Sequence, residues 1–269
     1  MVLVNGVPLD QIGISDRGFN YGDGLFTTLV CRGGVPLLWS SHGARLVSGC
    51  QRLAISPPDL SLLRAEVEQL AGADDCVIKL VISRGYGGRG YATAGVGSPN
   101  RVVSRHPLPA QRQQWRQQGV VVTLLEQPLG SQPLLAGLKS LNRLEQVLLR
   151  QAVVDAGADE GICMDEQGML VEATAANLWW RHQGHWYTPT LERCGVSGVM
   201  RQLLLDTLAA RGEPARQVRA SAMALDEAEE LMLTNTTFGL VPVRRYQRRE
   251  FASWPAIRRL QQEFAEVMA

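Results

Sequence analysis

The apolar patterning of this chain is interrupted at Pro107-Leu108-Pro109 and the Gln/Arg-rich stretch that follows, and this break argues against one continuous sheet or bundle. We read a small N-terminal unit over residues 1–110, a linker over 111–118, and a larger C-terminal unit over 119–269. Both mix short strand patterns with amphipathic helices, so the expected class is α+β with two domains. In the first, Val2–Val4 and Val7–Leu9 pair about Asn5-Gly6. Leu25–Cys31, Val35–Trp39, Val77–Ser83 and Val102–Ser104 read as further strands. Helices are expected over about 42–53, capped by Ser40-Ser41, and about 59–71. In the second, Asn142 and Glu145 have capping-box spacing ahead of a helix to about Ala156, with Leu144, Val147 and Leu148 inward. Strands follow at Val120–Leu125, Gly161–Asp165, Met169–Thr174, Leu178–Arg181, Trp186–Thr188, Val218–Ala220 and Leu231–Thr234. Helices are expected over about 199–211 and Pro255–Val267. No period of 20–50 residues repeats, which excludes a solenoid.

Composition removes several function classes. A net charge of +1 does not indicate a polyanion-binding surface, so nucleic acid is not an expected partner. No apolar run approaches the roughly 20 residues needed to cross a bilayer, and the first residues lack the pattern of a secretory signal. Cys31, Cys50, Cys76, Cys163 and Cys194 are scattered and odd in number. Neither a disulfide framework nor a metal site is expected, and a cytoplasmic setting fits. His182 and His185 flank a hairpin tip, where solvated imidazoles are the plain reading.

The basic residues carry more information. Of 27, 25 are arginine and two, Lys79 and Lys139, are lysine. A chain so depleted in lysine retains it where a primary amine is needed, because arginine stays charged and cannot form a Schiff base. Lys139, in Ala136-Gly137-Leu138-Lys139-Ser140 ahead of a helix, suits a cleft. Lys79 alternates with Val81 and Ser83 on a strand, where a snorkelling or salt-bridged lysine explains it.

A Schiff-base lysine points to pyridoxal 5′-phosphate (PLP), which further requires an anion cup and a group controlling the pyridine nitrogen. Gly195-Val196-Ser197-Gly198-Val199-Met200 opens a helix whose free amides favour an anion. Thr234-Asn235-Thr236-Thr237 follows a strand and offers three hydroxyls and an amide. Arg45 on a helix and Glu172 within an apolar strand each read, taken alone, as surface residues.

Taken in order these segments resemble the fold-type IV PLP enzymes, the family of the branched-chain and D-amino-acid aminotransferases. The shared features are Phe19-Asn20-Tyr21-Gly22-Asp23-Gly24-Leu25-Phe26, His42-Gly43-Ala44-Arg45-Leu46, Lys139-Ser140-Leu141-Asn142, Glu172-Ala173-Thr174-Ala175-Ala176-Asn177, Ser197-Gly198-Val199-Met200-Arg201, and Asn235-Thr236-Thr237 with Pro242-Val243. The resemblance covers essentially the whole chain. It implies a small N-terminal α/β domain, a larger β-barrel-like domain with helices, and a homodimer. It also implies that Lys139 carries PLP, that Glu172 meets the pyridine nitrogen, and that Arg45, Val199, Met200, Asn235 and Thr236 hold the phosphate.

Within the family the chain is most similar to the 4-amino-4-deoxychorismate lyases, which form p-aminobenzoate and pyruvate for folate synthesis. Val81–Tyr91, with its Arg84-Gly85-Tyr86-Gly87-Gly88-Arg89-Gly90-Tyr91 loop, and Lys139–Gln146 carry this likeness, together with the threonines of Asp23-Gly24-Leu25-Phe26-Thr27-Thr28. The resemblance implies that Lys139 is the base for the substrate's C4 proton, with Thr28 as a catalytic contact. For the two substrate carboxylates, Arg84, Arg89 and Arg105 are candidates, with Tyr91 as a polar contact. Two rival readings remain open on the sequence: an aminotransferase of the same fold, and a cofactor-free binding protein on this scaffold.

Overall fold

A computed structural model describes residues 1–268. The chain divides into two compact units, Met1–Leu108 with Lys139–Asn142, and Pro109–Leu138 with the residues from Arg143 onward.

The first unit contains β1 (Val2–Val4), β2 (Val7–Pro8), α1 (Arg17–Tyr21), β3 (Gly24–Arg32), β4 (Val35–Pro36), α2 (Trp39–Arg52), α3 (Leu60–Ala71), β5 (Cys76–Ser83) and β6 (Asn100–His106). The strands form one antiparallel sheet in the order β2-β1-β6-β5-β3-β4. Because strand side chains alternate between faces, Leu25, Leu29, Ile78, Leu80, Ile82 and Val103 all point one way. They form a core with Leu46 and Cys50 of α2 and Leu63, Val67 and Leu70 of α3. The opposite face carries Phe26, Thr28, Lys79, Val81, Val102 and Ser104, all half-buried.

Along Gly24–Phe26 the outer edge of β3 has no strand beside it, and Lys139–Asn142 takes that place. The Phe26 amide donates to the Lys139 carbonyl at 2.9 Å and the Leu141 amide to the Gly24 carbonyl at 3.0 Å. Two glycines make the approach possible. A Cβ on Gly24 would lie 2.8 Å from a Leu141 methyl, and one on Gly22, which sits at φ +64°, would lie 2.1 Å from Asn142 Oδ1.

The second unit contains α4 (Arg112–Gln118), β7 (Val120–Leu124), α5 (Leu144–Asp155), β8 (Glu160–Met164), β9 (Leu170–Ala173), β10 (Asn177–His182), β11 (His185–Pro189), α6 (Val199–Ala210), β12 (Arg216–Val218), a 3-10 turn at Ala222–Leu225, β13 (Glu230–Asn235), β14 (Gly239–Tyr246), β15 (Arg249–Glu250), α7 (Pro255–Glu263) and α8 (Ala265–Met268). Its sheet runs β12-β11-β10-β13-β14-β7-β8-β9, with β15 beside β14. The sheet curls until its ends meet. Leu170 of β9 donates to the carbonyl of Ala220, just beyond β12, at 2.8 Å. Leu178, Trp180, Leu231, Leu233, Val241 and Val243 pack in the core of this unit. The architecture is thus α+β, with a barrel-like second unit.

Several local expectations are corrected. The stretch expected as a linker contains α4, whose Trp115 packs edge-to-face on Phe238 at 5.8 Å. A single aromatic in a polar helix is too sparse a signal to read as periodic. α2 starts at Trp39 behind Leu38, at φ 53°, and no serine side chain caps it. The capping box at α5 does not form: Glu145 accepts from the Gly130 amide at 2.8 Å, and Arg143 occupies the cap position. The inward face of α5 is Leu149 and Val153, while Leu144, Val147 and Leu148 are 63–72% exposed. Leu144, Val147 and Leu148 line one side of this helix and Leu149 and Val153 another, so periodicity alone does not choose between them. The expected helix Pro255–Val267 is broken at Phe264 into α7 and α8. β14 escaped notice because Pro242 lies inside it, and proline within an apolar run argues against a strand.

Candidate active site

In the first unit, Lys139 is held by its own backbone on the edge of β3, and its Nζ lies 4.5 Å from the centroid of Phe26. Lys79 shares a rung with Thr28 and Ser104, and its Nζ lies 5.1 Å from the same ring. Of the two expectations for Lys79, the salt bridge is corrected, since no carboxylate pairs with it among the described residues, while its stem lies along Phe26 with the ammonium beside Thr28, as a snorkelling lysine would. The two lysines of the chain therefore converge on one aromatic side chain.

Arg45 lies on α2, three residues after His42, so both project from one side of the helix. One Arg45 nitrogen, Nη2, donates to the Thr27 hydroxyl. Its Nε is buried without a partner. Burial pulls the guanidinium down to about 10, the mark of a cation with no counter-charge beside it.

The arginines expected at the substrate separate by their partners. Arg84 is fully engaged: Nε meets Asp23 at 2.7 Å, and its other nitrogens meet the carbonyls of Ala54 and Leu53, each at 2.7 Å. Arg105 pairs with Asp74 at 2.7 Å and shares its sheet face with Ile78, opposite to Lys79 and Thr28. Both are held by carboxylates of the first unit. Arg89 is exposed in the glycine-rich loop, and Tyr91 meets Tyr21 edge-to-face at 5.6 Å. That loop is organised by the buried Arg17, which binds Asp23 at 2.8 Å and donates to the carbonyls of Gly90 at 2.9 Å and Ala92 at 3.3 Å.

In the second unit, Glu172 on β9 is buried, and its Oε2 accepts from the Val196 amide at 2.8 Å. Asn177, at the start of β10, donates to the Val196 carbonyl at 2.8 Å and approaches Glu172 at 3.4 Å. The carboxylate and the loop ahead of α6 are therefore one hydrogen-bonded piece. Gly195 and Gly198 complete it. A Cβ on Gly195 would lie 2.8 Å from both Val171 and Leu191, and one on Gly198 would lie 2.1 Å from Asn177 Oδ1. No side chain caps α6, so the amides of its first turn, including Val199 and Met200, remain available to an anion. Arg201, buried in that turn, donates to the Pro189 carbonyl and to Gln217, each at 2.9 Å.

Asn235 serves a different role from the one its side chain suggests. Its Oδ1 accepts from the amides of Thr237 and Phe238, each at 2.9 Å, and its Nδ2 donates to the Ala175 carbonyl at 2.9 Å. It shapes the Thr236–Phe238 turn. Ala175 belongs to a second turn, built on buried Glu160, which accepts from Thr174 and from the amides of Gly161 and Ala175. Burial raises the Glu160 carboxyl, against hydrogen bonds from Thr174 and Gly161 that lower it.

Residues 24–246, most of the chain, match the family described as amino-transferase class IV. The chain belongs to that family. Among its relatives is an aminodeoxychorismate lyase of Vibrio harveyi, 35% identical over 90% of each chain. The crystal structure of 4-amino-4-deoxychorismate lyase from Pseudomonas aeruginosa superposes with a TM-score of 0.93 at 42% identity, covering 99% of this chain and 98% of that one. A putative branched-chain-amino-acid aminotransferase of Methanocaldococcus jannaschii is 27% identical over 90% of this chain and 86% of its own.

Three roles did not follow from the sequence: in the second unit Asn177 as a brace, and in the first Arg17 as the loop's keystone and Lys79 on the Phe26 ring. Asn177 ends the Glu172–Asn177 motif without a chemical role of its own. Arg17 carried no signal, since apart from Asp23 its partners are backbone carbonyls. Lys79 carried one in its rarity.

Proposed function

We propose that the chain is a PLP-dependent lyase converting 4-amino-4-deoxychorismate to p-aminobenzoate and pyruvate. The observation that carries the reading is full-length likeness to two such lyases at 35% and 42% identity, against 27% for the branched-chain relative. The residues present fit the cofactor. Arg45 is a cation lacking a counter-charge, with an orphaned buried Nε, and no side chain caps α6, whose first-turn amides can meet an anion.

When bound, PLP supplies an electron sink for the pair left at the substrate's C4 as its proton departs. Lys139 Nζ would hold the cofactor and, when free, would accept that C4 proton. Glu172, braced by the Val196 amide and Asn177, would keep the cofactor's ring nitrogen protonated. Arg45, the first-turn amides at Val199 and Met200, and the Asn235–Thr236 turn hold the phosphate. Lys79, Arg89 and Tyr91 receive the substrate carboxylates, and Thr28, on the rung of Lys79, orients the departing group. We further read the exposed Leu144, Val147 and Leu148 as one face of a homodimer. Five free thiols fit a reducing cytoplasm.

Borohydride reduction followed by peptide mapping tests the assignment, run beside an assay for p-aminobenzoate and pyruvate. Label is expected on Lys139, with the two products in equal amounts. Lys139→Ala is expected to lower turnover by about a thousandfold or more. Label on Lys79 would overturn the site, and amination of 2-oxo acids without pyruvate release would replace the lyase with an aminotransferase.

A further inference from the structure

Thr27 lies on the helix-covered face of β3, completely buried among Leu25, Leu29, Leu80 and Ile82. A hydroxyl in such a layer must find partners, and it has two. Arg45 Nη2 donates to it, a direction that is forced because a guanidinium has no acceptor. His42 Nδ1 lies 2.7 Å away on the other side.

These contacts determine where the protons sit. The Thr27 oxygen already accepts from Arg45, and its own hydrogen has one acceptor in reach, His42 Nδ1. If Thr27 donates, the imidazole is neutral with its proton on Nε2, and that N–H is the one group of the Thr27–His42 pair left unsatisfied. If instead Nδ1 carried the proton, both the Thr27 hydrogen and His42 Nε2 would be stranded. Burial, with Arg45 and Lys139 nearby, also holds His42 well below its ordinary value and so neutral.

We propose that Thr27 and His42 are positioning residues: a one-way relay, His42 Nδ1 accepting from Thr27 and Thr27 accepting from Arg45 Nη2, that fixes the Arg45 guanidinium for an anion. The relay polarises the hydroxyl, which strengthens it as an acceptor. It leaves Arg45 Nε, unpartnered in the protein, to meet a phosphate oxygen. The inference rests on the reading of Arg45 as a phosphate ligand.

The test uses apo-protein and two readouts other than turnover. The first is affinity for PLP and for inorganic phosphate. Thr27→Val, which keeps the shape and removes the hydroxyl, is expected to weaken both by about tenfold, while Thr27→Ser stays within about twofold. The Thr27→Val loss is expected to vanish in an Arg45→Gln background. The second is the ¹⁵N spectrum of the His42 ring in unmutated protein, expected to show the neutral Nε2–H form at neutral pH. An imidazolium or Nδ1–H form would overturn the relay, as would wild-type affinity in Thr27→Val. If Arg45→Gln itself binds both ligands as wild type, the reading of Arg45 fails, a result distinct from failure of the relay.

Discussion

Lys79 and Lys139 bring two positive charges to the ring of Phe26, at 5.1 and 4.5 Å from its centroid. A cation–π contact at a partly exposed site contributes about 0.5–1 kcal/mol. Two like charges at most about 9.6 Å apart, the sum of those distances, repel by at least ~1.7 kcal/mol in a medium of effective dielectric about 20. The ring therefore does not account for the second charge, whereas a bound carboxylate would. Lys79→Gln is accordingly expected to raise KM for 4-amino-4-deoxychorismate about tenfold, with a smaller change in kcat and Lys139 still trapped by borohydride. An unchanged KM would return Lys79 to a packing role. Asp23 makes a pH prediction. Burial alone would raise its carboxyl, but hydrogen bonds and charge from Arg84 and Arg17 outweigh that and hold it below the usual value. A depressed folded value means its stabilisation is complete above the unfolded value of about 3.9 and is lost as pH falls through the folded one. Asp23→Asn should lower stability at neutral pH by about 2 kcal/mol and flatten the loss below about pH 4, read from Tm against pH.

At the scale of elements, the start of α6 and the end of β9 work as a unit because Asn177 joins them. Gly198→Ala places a methyl group where Asn177 Oδ1 lies 2.1 Å away. Asn177 must then give up its bonds to Val196 and Glu172, at 2.8 and 3.4 Å. A loss of about 2–3 kcal/mol is expected from the clash and the broken bonds, with weaker PLP binding. Calorimetry and cofactor titration check this, and a variant matching wild type in both would show that the two elements are not coupled. Helix ends were the least legible elements. Asp59 caps α3, accepting from Ser61 and Leu62 at 2.8 and 3.1 Å, where the sequence placed the start. Glu145 had the right spacing for a cap, but the Gly130 amide, 15 positions away, claimed it. A side chain at a helix start answers to whatever donor the fold brings near, and that donor is not local.

For the whole molecule, α5 presents Leu144, Val147 and Leu148 to solvent, and fully burying each such side chain contributes about 1.5–3 kcal/mol. Leu148→Glu with Val147→Glu is expected to shift the protein from dimer to monomer in sedimentation velocity without unfolding it. A mass unchanged from wild type would place the partner elsewhere. Turn chemistry and strand periodicity are properties of neighbouring residues, so most strands, the α+β class and the amine of Lys139 were already determined by the sequence alone. The motifs of Arg45, Glu172 and Gly195–Met200 carried weight only through their family resemblance, since each taken alone is an ordinary surface or turn pattern. Only the tertiary structure decided which charges were already engaged. It gave Asp23 to Arg84 and Asp74 to Arg105, left Lys79 without a carboxylate among the described residues, and set Thr27 between His42 and Arg45. Those pairings join residues up to 61 positions apart, and nothing in a local pattern encodes which distant side chain will arrive.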